Sequence, residues 1–218
     1  MNHYLFLGPT AHNLFQEIEN LIAGITILPP VARGDIQMIA SEGKPGLITI
    51  CDGIFHSYPA VGHFEIVEAM KKGWEIWGVG SMGAIRASEL QDFGMHGFGE
   101  SFENFIQDPD FPDDEVALLY DQTFPYAPQS EPMLHLRKFL DKLVANKCIT
   151  AIEASHIKGV LSDSWFGVRT IPKTLQLINV LAPRSLRDAT TTGEDFDQFR
   201  TKSQDLIRYL TTRPWSRA

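Results

Sequence analysis

The sequence has little cysteine and no long hydrophobic run. Only Cys51 and Cys148 occur among the 218 residues, and no CxxC pair is present. Two cysteines cannot build a disulfide framework, so we expect a reducing, cytoplasmic setting. No apolar stretch approaches the roughly 18 residues that a membrane-spanning helix needs. The first ten residues also lack the basic start and apolar core of a secretory signal. These absences predict a cytoplasmic protein with no membrane partner.

The sequence lacks the phosphate-binding loop of NTPases, a dinucleotide motif after the first apolar run, and a zinc-binding motif. There is no GxxxxGK[ST], which excludes a phosphate-binding loop of the NTPase type. No GxGxxG follows the first apolar run, which disfavours a dinucleotide site. Neither HExxH nor a cysteine–histidine cluster appears, so a zinc site is not expected. The sequence therefore predicts no cofactor and no metal.

Positive charge is also scarce, since the net charge is −8. This balance argues against general nucleic-acid binding. Residues 100–121 carry eight acidic side chains and no lysine or arginine. This segment is interpreted either as a solvated acidic face or as a docking face for a basic partner, with Asp113, Asp114 and Glu115 as its contacts.

Four apolar runs are present, and each leads into a stretch with helical spacing of its apolar residues. The runs predict strands at 3–7, 25–28, 47–51 and 74–79, and the spacing predicts helices at 13–22, 32–42, 61–70 and from 82 onward. Parallel strands need such crossovers. The fold class is therefore α/β: a Rossmann-like parallel sheet of four or five strands with helices on both faces. Residues 116–120 are ambiguous and are the candidate for a fifth strand.

The remainder of the chain has a helical pattern. Helices are predicted at 130–147, 151–162, 172–181 and 194–211. We therefore divide the chain into an α/β core over residues 1–125 and a helical C-terminal extension over residues 126–218, packed on the core.

Reactive side chains follow the predicted strands. Loops after parallel strands meet at one edge of a sheet, where ligands bind. This edge should gather Arg33, Asp35, Asp52, His63, Ser81 and Arg86. The stretch Gly80-Ser81-Met82-Gly83 predicts a sharp turn from a strand into a helix. Its small residues allow a close approach, and the first amides of a helix suit an anion.

Each of these residues also has a purely structural interpretation. Ser81 is equally well read as the cap of its helix. Other residues would form local pairs, turns or packed surfaces: Arg33 with Asp35, Asp52 with Gly53, Arg86 with Glu89, His63 on a helix surface, and Cys51 as a small core residue.

Six blocks of the sequence, taken in order, resemble the TfuA-like protein family. They are LPPVARGDI, CDGIFHSYPAVGHFEI, GSMGAIRASEL, FGMHGFG, DDEVA and SEPMLHLR. The resemblance covers roughly residues 3–140. It implies a protein that accompanies a YcaO-family enzyme in peptide backbone thioamidation, including the biosynthesis of ribosomally made peptide natural products. It also implies hydrolysis of a thiocarboxylated, ubiquitin-like ThiS protein, which releases sulfide, and engagement of the precursor peptide.

These implications allow roles to be assigned to the candidate residues. Ser81 would attack the thiocarboxylate, and His63 would carry protons. Arg86 would attract the thiocarboxylate and stabilise charge in the transition state. The substrate would be held by Arg33 and Asp35, together with the turn at Gly80, Met82 and Gly83. Direct attack by water, with Asp52 as the base and Ser81 as a hydrogen-bond donor, is the alternative mechanism. The alternative functions are a non-catalytic adaptor for the YcaO enzyme and its peptide, and an unrelated hydrolase or phosphate-binding protein.

Overall fold

A computed structural model of the protein describes residues 2–55, 58–182 and 194–216. The chain forms two compact units. The first comprises the described residues within Met1–Phe111, Thr123–Tyr126 and Lys202–Ala218, and the second those within Pro112–Gln122 and Ala127–Thr201. The units therefore do not follow the predicted division at residue 125, because the C-terminal helix belongs with the first unit.

The first unit contains a parallel five-stranded sheet. Its strands are β1 (His3–Phe6), β2 (Thr26–Leu28), β3 (Leu47–Ile50), β4 (Glu75–Val79) and β5 (His96–Phe98). They lie in the order β2-β1-β3-β4-β5, and all four pairings are parallel. The predicted α/β class with a parallel sheet is confirmed.

The helices of this unit are α1 (Phe15–Ile18), α2 (Asp35–Glu42), α3 (His63–Lys71), α4 (Met82–Leu90), α5 (Glu100–Gln107) and the C-terminal α9 (Thr201–Thr212). Neighbouring strand residues enter different apolar cores because side chains alternate along a strand. Phe6 and Ile50 join a core with residues of α2, α3 and α4. Leu5 and Val79 join another, with residues of α1 and α9. Both faces of the sheet are thus covered.

The second unit is helical. Its helices are α6 (Met133–Ala145), α7 (Ala151–Ser162) and α8 (Ile171–Leu181), which share one apolar core. The acidic stretch before α6 takes part in this unit's internal ion pairs. Glu115 is buried and forms a bidentate contact with Arg137, and Asp114 bonds the buried Arg169 at 2.6 Å. Asp114 and Glu115, which were expected to dock a partner, are therefore engaged within the unit.

The ambiguous segment 116–120 is not the fifth strand of the sheet. Val116, Ala117 and Leu118 are buried in the second unit without joining the sheet, so their apolar character reflects a core and not a strand. The actual fifth strand, β5, is only three residues long and contains Gly97. Its brevity left no periodicity to detect. A Cβ on Gly97 would lie 2.2 Å from the Phe102 ring, which accounts for the glycine.

Candidate functional site

The order of the strands defines a switch point at the carboxyl end of the sheet. The chain moves from β1 to one side for β2 and then returns to the other side of β1 for β3. Ligands in open α/β sheets bind at such a switch point. Here the loops after β1 and β3 meet through Asp52, whose carboxylate accepts hydrogen bonds from the amides of Gly8 (2.8 Å) and Thr10 (3.1 Å) and from the Thr10 hydroxyl (2.7 Å).

Asp52 is a buried carboxyl group with an opposing cation nearby. Only 1% of its surface is exposed. Burial raises its pKa above the ordinary value, while the charge of Lys202 and the hydrogen bonds from Gly8 and Thr10 act in the opposite direction. Both carboxylate oxygens already accept hydrogen bonds, which suits Asp52 to positioning the loop after β1 better than to activating water.

Ser81 stands at a sharp turn between β4 and α4. Gly80 has φ +73°, a left-handed conformation that favours glycine. Ser81 occupies the position before the helix, yet its hydroxyl makes no capping hydrogen bond. Instead, the Lys202 ammonium nitrogen lies 3.5 Å from Ser81 Oγ. Of the two interpretations of Ser81, the structure disfavours the cap.

Lys202 reaches this site from the first turn of α9. Only 1% of its surface is exposed. The next residue, Ser203, donates a hydrogen bond to the Thr10 carbonyl at 2.8 Å. Further along α9, Asp205 accepts the amides of Glu100 and Ser101, and the Tyr209 hydroxyl bonds Thr49. Hydrogen bonds therefore hold the helix at its start and along its length, and they fix Lys202 beside Ser81.

The turn after Ser81 is packed tightly against β3. A Cβ on Gly83 would lie 1.8 Å from the Ile50 carbonyl oxygen, so only glycine fits. The Gly83 amide donates to the Cys51 carbonyl at 3.3 Å and is already engaged. Met82 is buried with its side chain over Gly53. The Met82 amide stays our candidate for contact with an anion.

A second, more exposed cluster lies between α3 and α4. Glu89 Oε2 bonds His63 Nε2 at 2.8 Å and Arg86 Nη1 at 2.5 Å. Arg86 Nε also donates to the Val61 carbonyl at 2.9 Å. The His63 side chain is 54% exposed, whereas that of Arg86 is 13% exposed. The expected pairing of Arg86 with Glu89 is present, and His63 bonds the same Glu89 oxygen.

Arg33 and Asp35 lie in the loop after β2 and have different partners. Arg33 is exposed, and its Nε donates to the Ala60 carbonyl at 3.2 Å. Asp35 accepts the Ala32 amide and stabilises its own turn. The buried Glu65 joins this loop to the start of α3, because its two oxygens accept the amides of Gly34 and Gly62.

The sequence profile of the TfuA-like protein family matches residues 52–170, more than half of the chain. The chain belongs to the TfuA-like protein family. The match confirms the resemblance found in the sequence, and it includes Asp52, His63, Ser81 and Arg86. No curated protein matches this TfuA-like chain.

Two kinds of feature are absent from the described part of this TfuA-like protein. Within residues 2–55, 58–182 and 194–216, no three histidine, cysteine, aspartate or glutamate side chains are grouped so as to hold a metal ion. No helix in these ranges is long and apolar enough to cross a membrane.

Lys202 is the functional candidate that the sequence analysis missed. It lies outside the six matching blocks and outside the matched range. Its signal is its spacing within α9, since it lies four and seven residues before Leu206 and Tyr209, both of which are fully buried. A lysine on the apolar side of a helix indicates a buried partner.

Proposed function

We propose that this TfuA-like protein hydrolyses a thiocarboxylated, ThiS-like sulfur carrier and releases sulfide for a YcaO-family enzyme that thioamidates a peptide. Its place in the family supports this proposal, together with one geometric observation. Ser81 has a hydroxyl that does not cap its helix and that lies beside a buried amine. A hydroxyl held beside an amine at the carboxyl edge of a parallel sheet is suited to acyl transfer.

The reaction proceeds in two steps. Ser81 Oγ attacks the thiocarboxylate carbon, the C–S bond breaks, and the serine proton leaves with the sulfur as hydrosulfide. An acyl ester on Ser81 remains. Water then attacks the ester carbonyl and the C–Oγ bond breaks. One proton of the water returns to Ser81 Oγ, the other passes to solvent, and the carrier leaves as a carboxylate. The Met82 amide, at the start of α4, is proposed to stabilise the oxyanion formed in both steps.

The burial of Ser81 supports a slender substrate. Only 4% of the Ser81 surface is exposed. A broad folded surface would not reach this hydroxyl, but an extended chain end of small residues, as in a ubiquitin-like carrier, would.

The more exposed cluster is proposed to receive the carrier before the reaction. Arg86 and Arg33 offer guanidinium groups that can bind carboxylates in a bidentate manner. Their Nε atoms donate to the neighbouring carbonyls of Val61 and Ala60, which directs both side chains to the same loop. His63 is proposed to exchange protons with solvent at this rim.

An adaptor that holds the YcaO enzyme and its peptide without doing chemistry is the second candidate. It is favoured by two aromatic residues near the start of α3: Tyr58 is 68% and Phe64 is 75% exposed. Exposed aromatic side chains commonly serve as anchors at protein interfaces.

Incubation of the pure protein with a thiocarboxylated ThiS protein separates the two candidates. Hydrolysis converts the C-terminal COSH to COOH, which mass spectrometry detects on the intact carrier, and the released sulfide is measured in parallel. Turnover without a YcaO partner supports the hydrolase. Absence of turnover, with retained binding of the YcaO enzyme, supports the adaptor.

A further inference from the structure

The amino edge of the sheet carries a pocket that the proposed function does not use. It has a volume of about 240 Å³, and its lining residues all belong to the first unit: His3, Ala23, Gly24, Ile25, Arg213 and Trp215. His3 is the first residue of β1, and the turn at residues 23–25 leads into β2. Asp52 and Ser81 lie beyond the other ends of β3 and β4. The amino-edge pocket and the proposed catalytic residues are therefore at opposite edges of the sheet.

Arg213 brings a positive charge to the amino-edge pocket without a carboxylate to balance it. In the part of the chain that the structure describes, its guanidinium makes no ion pair, and its one hydrogen bond is a 3.5 Å contact with the Leu21 carbonyl. None of the lining residues is acidic. Arg200 in the second unit also lines a pocket, but it is paired with Glu131 and Asp197. Arg213 thus keeps most of its donors for a ligand.

The backbone at Arg213 shows that its side chain has a role of its own. Arg213 follows the last residue of α9 and has φ +46°, the left-handed conformation in which helices commonly end on glycine. Its amide donates to the Tyr209 carbonyl at 2.9 Å, and its carbonyl accepts the Ser216 amide at 3.0 Å and the Ser216 hydroxyl at 2.7 Å. Glycine would form the same turn without strain, so the turn alone does not account for an arginine.

Aromatic rings form the walls of the amino-edge pocket. The His3 and Trp215 rings meet edge to face, with centroids 5.1 Å apart. His3 Nε2 bonds Thr49 Oγ1 at 2.9 Å, and the Tyr209 hydroxyl bonds the same oxygen at 2.8 Å, which fixes the imidazole. Burial, and secondly the charge of Arg213, lower the pKa of His3 to about 4, so the ring is neutral at pH 7. The positive charge of the pocket therefore comes from the arginine.

Further hydrogen-bond donors surround this charge. The Trp215 indole N–H and the amides of Ala23 and Gly24 have no acceptor among the described residues. Gly24 has φ +81°, and successive amides in a turn of this kind form concavities that bind anions. The pocket is smaller than the roughly 300–1,000 Å³ of sites for drug-sized molecules. Its charge, donors and size suit a compact anion.

We infer that the amino-edge pocket is a binding site for a small oxyanion, a phosphate or carboxylate group, which Arg213 holds through two parallel N–H bonds. The turn amides at Ala23 and Gly24 supply further donors, and the His3 and Trp215 rings enclose the group. Because Arg213 and Trp215 directly follow α9, the bound anion also ties the end of this helix to the start of the sheet. The site does not depend on the reaction proposed above.

The indole signals of the full-length, ¹⁵N-labelled protein test this inference. The chain has four tryptophans, and Trp215→Phe identifies the signal that reports on the pocket. Inorganic phosphate and acetate are titrated separately at pH 7, with chloride keeping the ionic strength constant. We expect a saturable shift of the Trp215 signal, with a Kd on the order of 1–10 mM for the better anion. Arg213→Gln should weaken this binding at least about tenfold, as expected for the loss of charge-assisted hydrogen bonds.

Arg208→Gln is the matched control. It removes the same charge from the same helix, but the Arg208 guanidinium bonds Asp205 and lies outside the pocket lining. It should bind the anion as the natural protein does. Should Arg213→Gln not fold, Arg213→Gly carries the test, because glycine favours the backbone conformation at this position.

The outcomes decide both the site and its ligand. Saturation by either anion, lost with Arg213, retains the inference, and the tighter anion shows whether the ligand carries a phosphate or a carboxylate. No saturable shift with either anion overturns it. Unchanged binding in the Arg213 variants, or equal weakening in Arg208→Gln, also overturns it, since attraction to the general charge of the protein would then explain the shift. No sulfur carrier is involved, so failure of the proposed function leaves this result unaffected.

Discussion

The two clusters of the first unit differ most in their exposure to water. Ser81, Asp52 and Lys202 are all at least 95% buried, whereas the His63 and Glu89 side chains are 54% and 37% exposed. Charges in the first cluster interact in a medium of low polarity, where each lost partner is felt strongly. Those of the second cluster are screened by solvent. Substitutions in the buried cluster should therefore change chemistry and folding, and those in the exposed cluster mainly binding.

Replacement of the nucleophile should give the largest effect. We expect Ser81→Ala to reduce sulfide release by about a thousandfold or more, since removal of a nucleophile leaves only binding and oxyanion stabilisation. The hydroxyl does not cap α4, but its loss removes a contact of the buried Lys202, so the free energy of unfolding should fall by about 1–2 kcal/mol. Mass analysis of the carrier and thermal unfolding measure the two quantities. Activity near the natural level would remove Ser81 from the site.

Asp52 should control the stability of the buried cluster. Asp52→Ala leaves two buried amides without their acceptor and Lys202 without its opposing carboxyl. We expect a loss of about 3–5 kcal/mol in urea unfolding. Asp35→Ala is the matched control, because Asp35 accepts a single amide in a partly buried turn, and it should cost about 1 kcal/mol. Equal losses for the two variants would contradict the contrast between buried and exposed sites.

His3, the first residue of β1, extends the contrast to a buried base. Burial, and secondly the charge of Arg213, lower its pKa from 6.5 to about 4. Between these values the unfolded chain binds more protons than the folded one, so stability rises with pH. Unfolding free energy should therefore fall by about 2 kcal/mol as the pH is lowered from 6.5 to 4. His3→Gln should flatten this part of the pH curve. An unaltered slope in that variant would assign the pH dependence to other groups.

The smallest effects should come from the exposed cluster. Arg86→Ala removes a hydrogen bond to the Val61 carbonyl as well as the pair with Glu89, and should cost about 1–2 kcal/mol in unfolding free energy. We expect KM for the carrier to rise about tenfold with kcat nearly unchanged. Glu89→Gln, which affects only solvent-screened contacts, should cost about 0.5 kcal/mol or less. A large fall in kcat for Arg86→Ala would instead place the arginine at the reacting atoms.

Much of the edge of the sheet was predictable from the chain. The loops after β1 and β3 and the turn at Ser81 were expected to converge, because parallel strands end at one edge. The partners of the individual side chains were not predictable. The pairing of Arg86 with Glu89 was expected, but the burial of the arginine side chain was not, because it depends on the neighbouring α3. The role of Glu65 in joining two loops was not expected. It depends on the amide of Gly34, 31 residues away, as well as on that of the nearby Gly62.

Local sequence alone determined the parallel α/β class and four of the five strands of the described sheet. The runs of β1, β3 and β4 are largely buried, and each crossover leaves a helical period in the chain. Only the tertiary structure decided where the last helix belongs and that Lys202 meets Ser81. The apolar side of α9 has the same periodicity whichever core it joins, so the choice between cores depends on packing. A contact across 121 residues leaves no local pattern from which it could be predicted.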